Sequence, residues 1–106
     1  MNPYTTLHSA YEAYNTGVAC SRQDKDCLAM SHYLAAIELR PSFQEAYGNL
    51  AHVYASGCSD ADYGLLQPPD TAQALLYHRL AVEHSTDDNF YVAALSNLYV
   101  AGSREE

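Results

Sequence analysis

Apolar and small side chains recur along this chain with the spacing of an α-helix. Positions i, i+3, i+4 and i+7 lie on one face of a helix, and this spacing is occupied by Tyr47, Leu50, Ala51 and Tyr54. The same spacing returns at Val92, Leu95, Ser96 and Tyr99. A second kind of stripe, with alanine at both ends, is formed by Ala29, Tyr33 and Ala36 and again by Ala74, His78 and Ala81. The pattern predicts amphipathic helices of two alternating kinds.

Residues that start and stop helices divide the chain into five predicted helices. Pro3 fits a first turn, and Pro41 and Gly57 are predicted to end the second and third helices. Side-chain caps are expected from Asp24 or Asp26, from Ser42 with Glu45, from Asp70 with Gln73, and from Asp87 or Asp88. The predicted helices cover roughly residues 4–22, 27–40, 43–57, 71–85 and 89–102 of a single domain spanning 1–106.

These helices form an internal repeat. The segment 46–57 matches the segment 91–102 at an offset of 45 residues. In the other direction, Asn49 matches Asn15 at an offset of 34 residues. The difference of 11 residues predicts an inserted loop in 58–70, and the helix pairs then cover about 4–40 and 43–85.

Helix pairs with a 34-residue period resemble the tetratricopeptide repeat family, with features of its Sel-type relatives, which tolerate longer inter-helix loops. The residues that match are Gly17, Ala29, Tyr33, Ala36 and Pro41 in the first repeat and Tyr47, Leu50, Ala51, Tyr54, Ala74 and Ala81 in the second. The resemblance implies an all-α, right-handed helical-repeat solenoid of about two and a half repeats, ending in an unpaired or capping helix at 89–102. Departures from the family pattern occur at Ala13, Thr16, Cys20 and His78.

The resemblance also implies a concave groove, lined by the first helix of each pair, that binds a partner peptide or helix. On this chain the groove residues are expected to be Tyr11, Tyr14, Val18, Glu45, Asn49, His52, Phe90 and Asn97. Asn49 falls where such arrays hold a ligand backbone. Few basic residues are available there to clamp a carboxylate, so the expected partner is an apolar or basic segment. Alternatively, the aromatic members are partly buried packing residues.

Composition narrows the partners further. Hydrophobic residues make up 48% of the chain, as in an ordinary folded domain, and the formal net charge is −8. The acidic balance argues against binding to nucleic acid or to an anionic membrane surface. We find no apolar run long enough for a membrane span and no secretory signal at the start. Three cysteines, an odd number, then predict reduced thiols and an intracellular, cytoplasmic location.

The sequence contains no catalytic or metal-binding motif. We find no nucleophile elbow, P-loop, HExxH or paired CxxC, so we expect neither an enzyme active site nor a metal or cofactor. The five histidines are expected to be core or surface residues. Cys20 and Cys27 flank the first inter-helix turn and could approach each other, although their separation is not given by sequence.

Two features leave alternatives open. The inserted loop carries Tyr63, Leu65 and Leu66, which either contact a partner or fold back over the end of the helix pair. The helix at 89–102 exposes apolar residues unless something covers them, so the chain could instead form a homodimer there. A third alternative is that the array belongs to a larger enzyme, such as a protein O-glycosyltransferase, or to a co-chaperone.

Overall fold

The computed structural model describes residues 3–103, and for residues 3–7 only the backbone. Within that range the chain forms five α-helices and a small β-hairpin: α1 Pro3–Arg22, α2 Asp26–Leu39, α3 Gln44–Ser56, β1 Cys58–Asp60, β2 Leu65–Gln67, α4 Thr71–Glu83 and α5 Asp88–Ser103. A single 3-10 turn, Ala61–Tyr63, connects the two strands. The expected all-α class is confirmed, and each helix begins and ends within two residues of its predicted bounds.

Consecutive helices pack against each other along the chain. Helices α1 and α2 form the first hairpin and are joined by only three residues, Gln23–Lys25, which makes them antiparallel neighbours. Asp24 adopts a left-handed conformation in this turn, with φ 60°, and the Lys25 amide donates to the Cys20 carbonyl at 2.9 Å. Helices α3 and α4 form the second hairpin, and α5 packs against α4.

The core combines small residues with a few large ones. Phe43 and Leu50 are its largest fully buried side chains, and alanines such as Ala29 and Ala36 let the helices approach closely around them. Gly17 marks the closest approach, because a Cβ atom there would lie 2.6 Å from Cε1 of the Tyr33 ring. The two stripes with alanine at both ends, predicted from sequence, therefore face the interior.

The insertion, expected from sequence as a loop, contains a β-hairpin. Strands β1 and β2 are antiparallel, with Cys58 opposite Gln67 and Asp60 opposite Leu65. Gly64 supplies a left-handed residue at the turn, with φ 64°. Gly57, with φ 70°, ends α3, as predicted, and lies so close to the returning strand that a Cβ would meet the Gln67 carbonyl oxygen at 2.8 Å. Main-chain pairing over three residues on each side gives the insertion a defined shape.

A disulfide bond fixes this β-hairpin to α2. Cys27 and Cys58 are bonded, with their Cα atoms 5.5 Å apart, and Cys20 is the free, half-buried cysteine. The expectation of three reduced thiols is therefore wrong for two of them, and the partner of Cys27 is Cys58 rather than Cys20. Sequence spacing could not show this, because the bond joins residues 31 positions apart. Since disulfides persist mainly in oxidising compartments, the cytoplasmic prediction loses the support that it drew from cysteine.

The predicted caps are formed at the later helices and not at the earlier ones. Asp70 accepts a hydrogen bond from the Gln73 amide at 3.0 Å, and Asp87 accepts one from the Phe90 amide at 2.7 Å. The residue before α2 is Lys25 and the residue before α3 is Phe43, and neither makes a side-chain capping bond. The predicted caps at Asp24 or Asp26 and at Ser42 are therefore wrong.

Candidate functional site

Helices α1, α3 and α5 line three adjacent cavities that together form one groove. The largest, of about 470 Å³, lies between α1, the start of α2 and α3. A second, of about 320 Å³, lies between α3, α4 and α5, and a third, of about 190 Å³, lies between the same helices and Tyr14 of α1. His52 borders all three cavities. We call this surface the α1/α3/α5 groove.

The structure brings most of the predicted groove residues together. The seven that line these cavities are Tyr14, Val18, Glu45, Asn49, His52, Phe90 and Asn97. Tyr11 lies outside them. Its exposed ring meets Phe43 edge-on at 5.2 Å, and its hydroxyl accepts a hydrogen bond from Arg40 at 3.1 Å. Arg40 also stacks over Tyr11 and Phe43, which places Tyr11 at the turn between α2 and α3.

Tyr14 joins the groove to the core. Its ring lies 4.9 Å from Phe43 and 5.8 Å from Tyr33, centroid to centroid. Burial raises the pKa of Tyr14 above its ordinary value, an effect that the Asn49 hydrogen bond opposes and the Glu45 charge reinforces. The pKa of Tyr33 is raised mainly by burial as well. Both hydroxyls therefore stay protonated near neutral pH and can donate or accept hydrogen bonds.

Asn49 and His52 provide the polar groups at the centre of the groove. The Asn49 amide nitrogen donates to the Tyr14 hydroxyl at 3.4 Å, a long contact that a better acceptor can replace. The exposed His52 ring meets the buried His78 ring edge-on, with centroids 5.6 Å apart. Burial, and then the neighbouring His52, lower the pKa of His78. His78 is thus held neutral beside the groove at neutral pH.

Two charged groove residues were missed by the sequence reasoning. Arg22 and Asp26 line the largest cavity, where Ser21 donates to the Asp26 carboxylate at 3.1 Å. Arg22 lies eight residues after Tyr14 on the same helix, so its helical spacing could have revealed it. Asp26 begins α2, and only the tertiary packing brings it there. With Glu45, the groove carries two carboxylates and one guanidinium.

The inserted β-hairpin keeps its apolar side chains outside the groove. Tyr63, Leu65 and Leu66 are exposed and line none of the three cavities. Lys25 approaches the Tyr63 ring, with its Nζ 6.0 Å from the centroid. These three side chains are exposed, while the strands of the hairpin lie against α2.

Two other kinds of feature were sought among the described residues. Between residues 3 and 103, no cluster of three or more histidine, cysteine or carboxylate side chains could hold a metal ion. None of the helices in that range has both the length and the apolar character needed to cross a bilayer.

Comparison of the chain with protein-family models, with curated proteins and with solved structures found no match in any of the three.

Proposed function

We propose that the chain is a right-handed helical-repeat solenoid of the tetratricopeptide type, with about two and a half repeats, and that it binds a partner polypeptide in the α1/α3/α5 groove. The observation that carries the proposal is the shared lining of the cavities. Residues picked by repeat register from three separate helices, such as Val18, Asn49 and Asn97, line adjacent cavities. Clefts that combine apolar walls with a few polar groups are the usual form of a binding site.

The groove favours a partner with apolar and basic side chains. Its walls present the rings of Tyr14 and Phe90 and the apolar side chain of Val18. Asp26 and Glu45 can pair with lysine or arginine of a ligand, while a single guanidinium, Arg22, gives an acidic tail little to bind. Asn49 can hold a ligand main chain through its amide once it gives up the weak bond to Tyr14.

Selection from a phage-displayed library of random peptides on the immobilised chain tests this proposal. Enriched peptides are expected to combine aromatic or aliphatic residues with lysine or arginine. Enrichment of acidic peptides, or no enrichment at all, would contradict the proposed groove chemistry.

A matched pair of histidine variants then locates the binding site of an enriched peptide. His52→Ala removes a side chain common to all three cavities and is expected to weaken binding by about tenfold. The control is His8→Ala, because His8 is an exposed histidine of α1 that lines no cavity and only pairs with Glu12. Isothermal titration calorimetry measures both affinities, and equal effects of the two variants would rule out the groove. Tyr14→Ala is unsuitable for this purpose, because the Tyr14 ring packs on Phe43.

A further inference from the structure

Helix α5 repeats the sequence pattern of α3 but leaves the corresponding side chains exposed. At the offset of 45 residues, Leu95 corresponds to Leu50, and Tyr99 corresponds to Tyr54. Leu50 is 0% exposed and Tyr54 is 9% exposed, whereas Leu95 is 43% and Tyr99 is 78% exposed. Tyr91 and Val92 are exposed as well. We call Tyr91, Val92, Leu95 and Tyr99 the α5 outer face.

Helix α4 covers part of the equivalent face of α3, where Leu50 also belongs to the core shared with α1 and α2. Tyr77 of α4 stacks on Tyr54 at 5.3 Å and on Tyr47 at 6.2 Å, and His84 of α4 stacks on Tyr47 at 5.2 Å. The buried Ala74 and Ala81 let the α4 backbone approach α3. Helix α4 therefore carries small residues seven positions apart, Ala74 and Ala81. Each is followed three positions later by an aromatic side chain, Tyr77 or His84.

Helix α5 already uses its other side for packing within the chain. Ala94 is buried against Tyr47 and Ala81, and Phe90 packs at the same place. The α5 outer face points away from that contact, since Leu95 and Tyr99 lie on a different arc of the helix from Ala94. The described part of the chain provides no second helix to cover it.

We propose that the α5 outer face binds an amphipathic helix of another polypeptide, one with the α4 pattern. This partner carries small residues at i and i+7, with aromatic or aliphatic residues at i+3 and i+10. Its flanks are neutral or basic, because α5 has an acidic residue in its first turn and no basic residue in its last, and the whole chain carries a net charge of −8. This surface is distinct from the groove and adds a second binding mode to the one proposed above.

A second copy of the chain fits this face less well than such a helix. The α2 and α4 stripes of a folded copy are buried in its own hairpins, as Ala29, Ala36, Ala74 and Ala81 show. A copy therefore has no free stripe of the α4 kind, and pairing of two α5 helices would set large side chains against large side chains, with few small residues to bring the backbones together.

A peptide with the sequence of residues 71–84, blocked at both ends, is the probe for this inference, because it carries the stripe that covers α3. Fluorescence anisotropy of the labelled peptide, titrated with the full chain, measures binding. The expected result is saturable binding that is lost when Ala74 and Ala81 of the peptide are both replaced by glutamate. Equal binding of the two peptides, or no binding of either, overturns the inference.

Two leucine variants of the chain locate the bound peptide. Leu95→Gln lies on the α5 outer face, whereas Leu76→Gln lies on α4, outside that face, and the two leucines are 43% and 44% exposed. We expect Leu95→Gln to weaken peptide binding by about tenfold and Leu76→Gln to leave it unchanged. Thermal melts of both variants should match the parent, and a selective loss of stability in Leu95→Gln would show that this face is already covered.

Two further outcomes separate this inference from the groove proposal. Loss of binding of the 71–84 peptide in the His52→Ala variant would place that peptide in the groove and overturn the assignment to α5. Light scattering on the chain alone tests whether a second copy of the chain occupies the α5 outer face. A dimer that Leu95→Gln dissociates would show that a second copy covers the face instead.

Discussion

The first and second helical hairpins carry different side chains at positions that correspond in the sequence repeat. In the first, Gly17 lies directly against the Tyr33 ring, with no space for a methyl group. In the second, the repeat offsets place Ala51 and His78 at these positions, and both are buried. Relative to Gly17, Ala51 adds a methyl group on the first helix of the pair. Relative to Tyr33, His78 carries a smaller ring on the second helix. Close packing makes us expect these pairs to fill a similar volume with different residue types.

The two hairpins also differ in how their helices are connected. Three residues suffice between α1 and α2, whereas α3 and α4 are separated by Gly57–Asp70, which includes the β-hairpin. A longer connection costs little additional closure entropy, because that cost grows only with the logarithm of length. The disulfide between Cys27 and Cys58 then anchors the longer connection to the first hairpin. Each hairpin therefore keeps its helix packing despite different connections.

The largest expected effect comes from removing the anchor of the longer connection. Cys58→Ser opens a covalent loop of 31 residues and is expected to lower the free energy of unfolding by about 3–4 kcal/mol on the chain-entropy model. Urea unfolding followed by circular dichroism measures this change. Cys20→Ser is the control, since Cys20 forms no disulfide. If the parent protein unfolds at the same urea concentration with and without a reductant, the bond does not stabilise the chain.

A smaller effect is expected at the helix contact of the first hairpin. Gly17→Ala places a methyl group against Tyr33 and is expected to destabilise the chain by about 1–2 kcal/mol, despite the better helix propensity of alanine. Adding Tyr33→His imitates the second hairpin, and the double variant should recover about 1 kcal/mol relative to the sum of the single changes. Urea midpoints of all three variants measure this coupling.

The control for that series is a glycine of the second hairpin. Gly48→Ala meets only Phe90, at 4.0 Å, so the methyl group fits and the variant should be as stable as the parent or slightly more so. If the stability changes of Gly17→Ala and Tyr33→His were strictly additive, a smaller ring at position 33 would not compensate for a larger residue at position 17.

The smallest expected effect is a difference in pH response between the hairpins. Burial, with a contribution from His52, lowers the folded-state pKa of His78 below its unfolded value of about 6.5, so the unfolded chain binds more protons as the solution becomes acidic. Stability is therefore expected to fall from about pH 7 to about pH 5 through this group. Tyr33, at the corresponding position, has a raised pKa and does not titrate there.

Two substitutions isolate this contribution. His78→Gln should reduce the loss of stability on acidification, measured as the shift of the urea midpoint, whereas His8→Gln should not. The role of His78 would be refuted if both variants lost as much stability as the parent.

The helices could be predicted from the sequence because their signals are local. The spacing of Tyr47, Leu50 and Tyr54 identified a helix face, and Gly57 identified a helix end. Capping was predicted less well. Asp70 and Asp87 act as caps, but Ser42 does not, because the chain enters α3 with Phe43 buried in the core. A capping motif fixes a helix start only when tertiary packing leaves the preceding residues free to adopt it.

The residues that line the cavities could be predicted in part for the same reason. Seven of the residues expected from repeat register line the three cavities, since register is a property of sequence. Asp26 was missed because it belongs to a helix of the other kind, and Tyr11 was included although it packs at the α2–α3 turn.

The sequence by itself determined which residues form helices, which faces are apolar and where the repeat is interrupted. The tertiary structure alone decided that Cys27 pairs with Cys58, that the insertion pairs as two strands, and that one apolar pattern is buried in α3 and exposed in α5. The physical reason is that spacing along a helix fixes the direction of side chains relative to one another. Burial and bonding, in contrast, depend on which distant segment lies opposite, and the α3 face has α4 against it.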